Sequence, residues 1–452
     1  MTIFKNLSKF FMLVGIVSLV YGGRVFVTGK IDFDNFSFFR GETIISIAIG
    51  FYSMYLASNT SILKAKMFRI DVAILIVAFC LAIAIATVIA DYRYGISLDN
   101  FSMIMITKLL LNILVFSLIY MFVLDDPQYF KSICLALCIP PLIVIPALFF
   151  PHILANVASA LQDNYDLPML KTNRGMPLGF TSWDRFSGLT LNPIHMSYMN
   201  IISLAYLVVM YFNYYYDKKR KMSVLLFLLC FGLCGLNLWA GSRSIIIAMI
   251  MIVFMANVII GRCYRKDIYK LVSYNVLALL LLVIMLFALP KSNYSDTSAK
   301  DALVERLQYS QLKVSRLPIW NYYIGLIPGN ILGLGINYEK EFYLLDSQQG
   351  RINTHSFILE NWAYGGLFGL FAMLSLVLLA FNGIVSKIKN ASKDYYGYYV
   401  GTMLAFTGIV IAALFTGGTF FIQFWILLAL CLVPMNKIGK ENTDILGLKH
   451  EK

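Results

Sequence analysis

The run IDVAILIVAFCLAIAIATVIA, residues 70–90, decides the fold class of this chain. After Asp71 it contains no charged residue, and its apolar residues follow one another without alternating with polar ones. About 20 consecutive apolar residues are needed to carry an α-helix across roughly 30 Å of hydrocarbon. A strand of a membrane barrel would instead alternate apolar and polar residues. The run therefore predicts a transmembrane helix.

Similar runs recur along the whole chain. Of its 452 residues, 59% are hydrophobic and 13% are charged, whereas soluble domains average about 25% charged residues. We predict an all-α polytopic membrane protein, one integral membrane domain over residues 1–452, with about 12 transmembrane helices. The predicted spans are residues 8–23, 42–59, 70–90, 101–124, 131–151, 196–215, 223–241, 244–261, 271–289, 356–382, 398–416 and 419–435.

The distribution of Lys and Arg predicts the orientation. The N-terminal run follows Lys5 and Lys9 and lacks a small-residue cleavage site, which indicates an uncleaved signal anchor. Because cytoplasmic loops carry the excess of basic residues, both termini are expected in the cytoplasm. The short loops on that side hold fifteen Lys and Arg, and those on the other side hold five: Arg24, Lys30, Arg40, Arg93 and Arg243. The net charge of +13 reflects this topology, so it does not support nucleic-acid binding, whereas contact with anionic membrane lipids is compatible with it.

Two long insertions interrupt the spans on the predicted outer side, at residues 152–195 and 290–355. Long loops in tightly connected chains are usually functional or disordered, and the aromatic and apolar content of these two favours ordered caps. All seven cysteines fall in spans or on the cytoplasmic side. We interpret the pairs Cys134/Cys138 and Cys230/Cys234 as packing residues and not as a metal site, since no His or carboxylate lies beside them.

Candidate binding residues occur where the first insertion ends and in the turn between spans seven and eight. Arg185 and His195 flank an Asn192-Pro193 pair that is suited to end a loop before a helix. His195 could equally be an interfacial anchor. Arg243 lies in the short turn AGSRSIII, residues 240–247, which offers a preorganised guanidinium. The alternative is that Arg243 only snorkels to the interface.

The second insertion adds further basic residues. Arg306, Lys313 and Arg316 recur among apolar residues, as in an amphipathic helix lying on the membrane surface. For Lys313 we favour a solvated basic face. Gly333 and Gly335 follow and permit tight turns.

Ionisable residues also mark the outer ends of two spans. His355 is expected in the first turn of span ten and Glu360 about one and a half turns deeper, where an unpaired carboxylate would be costly. We expect Glu360 to orient another group in the bundle, such as a cation. Gly365, Gly366 and Gly369 then allow a neighbouring helix to approach closely. Lys108 is a second charged residue on the same side, in span four.

These residues suggest one chemistry. Arginines with one histidine, and without a metal-binding carboxylate cluster, favour a site that holds a pyrophosphate by guanidinium groups. A histidine beside it can take a proton from an attacking hydroxyl near neutral pH. A polyprenyl-pyrophosphate-linked glycan is an anionic substrate found at the outer face of such a membrane.

The segment that starts at His355 resembles a motif of the O-antigen polymerase and O-antigen ligase superfamily. That motif is His, then Asn, Ser or Gln, nine residues, Gly, two residues, and Gly, Thr or Tyr. Here it is filled by His355, Ser356, residues 357–365, Gly366 and Gly369. Three looser matches accompany it over the C-terminal part of the chain: Arg185 with Asn192-Pro193, Ser242-Arg243, and Arg316 and Trp320 with Gly333 and Gly335.

The resemblance implies a glycosyltransferase of the bacterial cell inner membrane that needs no cofactor or metal and inverts the anomeric centre. It implies His355 as the residue that activates the acceptor, and Arg185, Arg243 and Arg316 as pyrophosphate ligands. From its place beside His355 in span ten, we add Glu360 as a second catalytic candidate. Arg306 and Lys108 are reserve candidates. The substrates would be undecaprenyl-pyrophosphate-linked oligosaccharides, and a chain-length regulator would be a further partner of a polymerase.

The resemblance leaves polymerase and ligase open. Both transfer glycan from undecaprenyl pyrophosphate, the polymerase to another lipid-linked repeat unit and the ligase to lipid A-core. We favour the polymerase, because matches outside the His355 motif are loose, as expected when enzymes diversify with their repeat units. A lipid-linked oligosaccharide flippase or transporter ranks third, since Lys108 and Glu360 are the two ionisable residues well inside spans.

Overall fold

A computed structural model describes residues 2–19, 41–57, 69–95, 98–145, 193–240, 242–264, 316–338 and 354–434, and the isolated positions 273, 276 and 280. This part of the chain contains twelve α-helices and a short 3-10 turn at Ile327–Gly329, without a β-strand. The helices are α1 (Thr2–Ser18), α2 (Gly41–Ala57), α3 (Ile70–Tyr94), α4 (Asn100–Asp125), α5 (Gln128–Val144), α6 (Pro193–Tyr216), α7 (Arg220–Ala240), α8 (Arg243–Cys263), α9 (Leu317–Leu326), α10 (Phe357–Lys389), α11 (Lys393–Leu414) and α12 (Ile422–Leu432).

The helices confirm an all-α integral membrane protein in the part of the chain that the structure describes. Seven of them, α3, α4, α6, α7, α8, α10 and α11, are long and apolar enough to cross a membrane, and α2, α5 and α12 are apolar but shorter. The number of twelve crossings stays a prediction. The predicted span at 271–289 lies outside the described residues except for positions 273, 276 and 280, which are helical.

Side-chain pairs distinguish the two ends of the bundle. At one end, which we call the basic end, Lys5 pairs with Asp125 at 2.8 Å and Lys9 with Asp126 at 3.0 Å. The opposite end, the site end, contains the first turns of α4, α6, α8 and α10 and the turn at residues 415–421 between α11 and α12. Residues predicted to be cytoplasmic therefore gather at the basic end. Which end faces the cytoplasm stays a prediction.

Residues 330–338 dock onto the site ends of α3 and α4. The start of α4 is fixed by a capping box, in which Asp99 accepts from the Ser102 backbone N at 3.0 Å and its own N donates to Ser102 Oγ at 3.1 Å. The same carboxylate accepts from Asn337 Nδ2 at 3.3 Å. Tyr94, the last residue of α3, donates to Asn330 Oδ1 at 2.5 Å. The second insertion is thereby anchored to helices that are distant in sequence.

The same segment packs into a break in α10. The sequence predicts a continuous span there, without a break. Gly365 and Gly366 are not helical, and Gly366 has φ +63°. Backbone groups freed inside a membrane protein need partners from the protein itself. Leu334 N donates to Ala363 O at 2.7 Å, and Leu367 N donates to Ile331 O at 2.9 Å. Residues 331–334 therefore form hydrogen bonds with the backbone groups that the break leaves free.

Glycines let the backbones at this break approach one another. A Cβ on Gly366 would lie 2.4 Å from Ile331 O, and a Cβ on Gly333, at φ +92°, would lie 2.4 Å from Gly366 N. On the other side of α10, a Cβ on Gly365 would lie 3.2 Å from Ala82 Cβ and one on Gly369 would lie 3.6 Å from it. This confirms for Gly365 and Gly369 the expectation that they admit a neighbouring helix, which is α3, whereas Gly366 meets residues 331–332.

We predict that Gly366→Ala destabilises the protein, because its Cβ would collide with backbone and its φ is unfavourable for alanine. Strained backbone positions cost of order 1–3 kcal/mol each. The thermal unfolding midpoint of purified protein in detergent measures the effect. Gly50→Ala is the matched control, since nothing lies within 4 Å of a Cβ there, and a midpoint equal for both variants would contradict the role of the break.

Candidate functional site

The centre of the site end is the turn at residues 415–421, with the sequence FTGGTFF. The sequence predicts spans at 398–416 and 419–435, which leave residues 417–418 alone between them and do not predict this turn. Here α11 ends at Leu414 and α12 begins at Ile422, and the residues between them are not helical. Gly417 has φ +74°, a conformation that glycine adopts readily. Four helices contribute side chains that hold the turn.

The carboxylate of Glu360 accepts hydrogen bonds from two residues of this turn. Its Oε2 atom accepts from the backbone N of Gly418 at 2.9 Å, from the backbone N of Thr419 at 3.4 Å and from Thr419 Oγ1 at 3.3 Å. The side chain is buried. A Cβ on Gly417 would lie 2.9 Å from Oε2, so the glycine also makes room for the carboxylate. The sequence predicts that Glu360 orients another group in the bundle, such as a cation, and these bonds show that it orients a backbone turn.

Further side chains bind the rest of the turn. Asn361 Nδ2 donates to Thr419 Oγ1 at 2.9 Å, and Trp425 Nε1 of α12 donates to Thr419 O at 2.7 Å. Asn112 of α4 donates to Phe420 O at 3.1 Å. Tyr198 of α6 donates to Gly417 O at 2.9 Å. The turn is thus fixed from α4, α6, α10 and α12, and the carbonyl groups of Gly417, Thr419 and Phe420 each accept a hydrogen bond from a side chain.

Arg316 lies at the first residue of this turn. It is the N-cap residue of α9, and its guanidinium donates to Phe415 O. One turn further along α9, Trp320 Nε1 donates to Thr354 O at 2.8 Å, and its ring packs beside Phe415 with centroids 6.5 Å apart. Helix α9 therefore connects the 415–421 turn to the residue that precedes His355.

The sequence predicts His355 in the first turn of α10. In the structure, His355 lies just before that helix begins. Ser356 is the N-cap residue of α10, and Glu360 lies in its first turn. His355 has φ +50°, a left-handed conformation that is uncommon for residues with a side chain and recurs at functional sites. Burial, and then the positive charge of Arg316, lower the pKa of His355 to about 4. The imidazole is therefore neutral at pH 7.

Arg243 is the first residue of α8 and follows Ser242 at the N-cap. Arg243 interacts electrostatically with Arg316. Burial holds the pKa of the Arg316 guanidinium below its ordinary value, and the like charge of Arg243 is the second cause. The charge of Arg316 in turn lowers the pKa of His355. Three of the predicted site residues are therefore neighbours in the fold, although more than a hundred residues separate Arg243 from His355 along the chain.

Lys108 and His195 lie at the other end of the turn. The ring of His195 packs edge-on against Phe421, with centroids 4.6 Å apart, and the ammonium of Lys108 interacts electrostatically with His195. Lys108 is half-buried on α4, one turn before Asn112. Lys108 is therefore connected to this end of the turn through His195.

Two predicted site residues, Arg185 and Arg306, lie outside the described residues. Conversely, sequence reasoning missed Asn112, Tyr198, Asn361 and Thr419, which build the turn. One signal was available for them, because asparagines inside apolar spans and a Gly-Gly pair between threonines are unusual where lipid surrounds a helix.

We predict that Glu360→Ala lowers the thermal midpoint of the purified protein in detergent. Each buried N–H left without an acceptor costs about 1–3 kcal/mol, and two would be left at Gly418 and Thr419. Glu360→Gln keeps one acceptor oxygen and should lower the thermal midpoint less than Glu360→Ala does. Asp394→Asn, in the exposed first turn of α11, is the control. If Glu360→Ala behaved like Asp394→Asn, the turn would not depend on the carboxylate.

Comparison with known families adds an independent finding. Residues 224–374 match the protein-family model described as Wzy_C, O-Antigen ligase. A search of curated proteins found no match. The matched region contains Arg243, Arg316, His355 and Glu360, and it ends before the 415–421 turn. Over residues 224–374, the match confirms the resemblance of this chain to the O-antigen polymerase and ligase superfamily.

Proposed function

We propose that the protein is an O-antigen polymerase of the bacterial inner membrane. It would transfer a glycan from undecaprenyl pyrophosphate to another lipid-linked repeat unit at the periplasmic face, without a metal and with inversion of the anomeric centre. The observation that carries this proposal is the grouping of Arg243, Arg316 and His355 at the site end of a membrane helix bundle.

The two arginines favour an anionic ligand. Arg316 is held by Phe415 O in a partly buried position, and Arg243 adds a second positive charge close to it. Like charges in a poorly solvated site repel each other, so an anion between them would be bound favourably. The planar guanidinium offers paired donors to a pyrophosphate. Arg185, Arg306 and Lys108 are further candidates for the same ligand.

His355 is suited to act as the general base. A neutral imidazole can take the proton from the acceptor hydroxyl as that oxygen forms the new bond to the anomeric carbon. The bond between the anomeric carbon and the pyrophosphate oxygen breaks at the same time, and undecaprenyl pyrophosphate leaves as an anion. Arg243 and Arg316 stabilise the charge that develops on the leaving group.

Glu360 has a positioning role in this proposal. Its carboxylate fixes Gly418 and Thr419, and the turn they belong to presents Phe415 O to Arg316. The residue acts through the turn, so its loss should affect the rate less than the loss of His355.

A ligase is the second candidate, and the observation that favours it is the description of the matched family model as O-antigen ligase. The donor would be the same, and the acceptor would be lipid A-core. A chain-length regulator would be a partner of the polymerase.

A deletion strain tests the proposal through the pattern of lipopolysaccharide on a gel. A cell without the polymerase still ligates single units, so we expect core plus one repeat unit. Wild-type protein should restore long chains, whereas His355→Ala and His355→Gln at equal expression should not, because general-base catalysis contributes about 10²- to 10⁴-fold. Bare core, with long polymer left on undecaprenyl pyrophosphate, would identify a ligase instead, and long chains made by His355→Gln would leave His355 a structural role.

The pH dependence tests the link between Arg316 and His355. With a His355 pKa of about 4, the base form is present from neutral pH down to about pH 5, and activity should fall below that. Arg316→Gln removes a charge that opposes protonation, so the pKa of His355 rises and the acid limb of residual activity moves to higher pH. Arg316→Lys keeps the charge but loses the paired donors.

For Arg316→Lys we therefore expect a lower rate with the acid limb unchanged. The measurement is the initial rate of glycan transfer by purified protein across pH 4–8. An acid limb that stays in place for Arg316→Gln would contradict the electrostatic coupling. Undiminished rates for Arg243→Lys and Arg316→Lys would contradict the pyrophosphate assignment.

A further inference from the structure

A groove lies at the basic end of the described part of the chain, far from the proposed catalytic residues. It has a volume of about 560 Å³ and lies at the turn between α6 and α7. Its lining is Tyr211, Tyr215, Lys218, Arg220, Ser223, Val224 and Phe227. Pockets of 300–1,000 Å³ are of the size that binds small organic ligands.

One wall of the groove is apolar and aromatic. The rings of Tyr211 and Tyr215 have centroids 5.8 Å apart, and those of Tyr211 and Phe227 are 5.9 Å apart. Val224 is 52% exposed and Phe227 38% exposed, and Leu228 beside them is 58% exposed. On a helix that is long and apolar enough to cross a membrane, such a surface faces hydrocarbon. The groove therefore opens toward lipid.

The rim of the groove is cationic. Lys218 and Arg220 belong to the run Lys218, Lys219, Arg220 and Lys221, which enters the first turn of α7. Within the described residues no carboxylate pairs with Lys218 or Arg220. The adjacent Asp217 accepts from Tyr264 OH at 2.8 Å. Arg220 is the first residue of α7, where a basic residue opposes the helix dipole, so an anion bound beside Arg220 would relieve an unfavourable arrangement.

The backbone holds this rim in a defined shape. Lys218 has φ +60°, and the turn is closed by hydrogen bonds from Lys219 N to Tyr214 O at 2.9 Å and from Arg220 N to Lys218 O at 3.0 Å. Lys219 lies over the Tyr214 ring, 5.2 Å from its centroid, and so is not part of the lining. The tight turn places Lys218 and Arg220 on the groove side.

We propose that this groove binds an anionic glycerophospholipid of the surrounding bilayer, with the phosphate on Lys218 and Arg220 and the start of an acyl chain along Tyr211 and Phe227. Charge complementarity selects an anionic head group, and the hydrocarbon-facing wall selects a lipid over a soluble anion. Aromatic rings are common at the level where head groups meet acyl chains. The site is separate from the proposed glycosyl transfer, which takes place at the other end of the bundle.

The test uses full-length protein purified in detergent, with lipid binding measured by native mass spectrometry. The probes are dioleoyl phosphatidylglycerol and dioleoyl phosphatidylcholine, which share acyl chains and differ in net charge. The variant is Lys218→Asn with Arg220→Gln, since asparagine tolerates a left-handed conformation. The control, Lys389→Gln with Lys393→Gln, removes two exposed basic residues at the turn between α10 and α11 of the same end.

We expect wild-type protein to prefer phosphatidylglycerol, and the double variant to bind it about 30-fold more weakly, or about 5-fold for each charge removed. Binding of phosphatidylcholine, and the affinities of the control, should stay as in wild type. Phe227→Ala should weaken phosphatidylglycerol binding with the charges intact. Equal affinity of wild type and double variant for phosphatidylglycerol, with both folded by thermal midpoint, would overturn the proposal. Displacement of the lipid by millimolar inorganic phosphate would overturn it too, because the groove would then be a site for free anions.

Discussion

The carboxylate of Glu360 accepts hydrogen bonds from the backbone N–H groups of Gly418 and Thr419, and the arrangement of the site end depends on these bonds. A charged acceptor paired with backbone donors in a buried place forms a strong and directional interaction, worth about 1.5–3 kcal/mol. The interaction ties the beginning of α10 to the junction of α11 and α12. Three helices that carry or support the candidate residues are thereby held in one relative position.

The break in α10 is the second constraint, and it works with the first. Because Gly365 and Gly366 leave the helical conformation, the first two turns of α10 are separated from the long apolar part that follows. Residues 331–334 supply the hydrogen bonds that the break would otherwise lose. The same insertion carries α9, Arg316 and Trp320, so a single piece of chain supports the helix break and also places a guanidinium beside the turn.

Some basic side chains have a counterion within the described part of the protein, and others do not. At the basic end Lys5 and Lys9 are paired with the carboxylates of Asp125 and Asp126. At the site end Arg316 donates to a backbone carbonyl, which leaves its charge uncompensated by that bond. Cations compensated by the protein stabilise a structure, whereas those that are not attract an anion from outside. This contrast is what makes the site end a candidate for pyrophosphate binding.

The sequence by itself determined that this is an all-α membrane protein, because the length and continuity of an apolar run directly reflect the thickness of hydrocarbon. It also identified His355, Arg243 and Arg316 as candidate site residues, because placing an ionisable group in or beside a membrane span costs free energy and such residues are usually functional. The tertiary structure decided how they are arranged. Glu360 meets a turn 58 residues away, and Arg316 meets Phe415 across 99 residues. Contacts of that separation depend on which helices pack together, and local spacing along the chain carries no information about that choice.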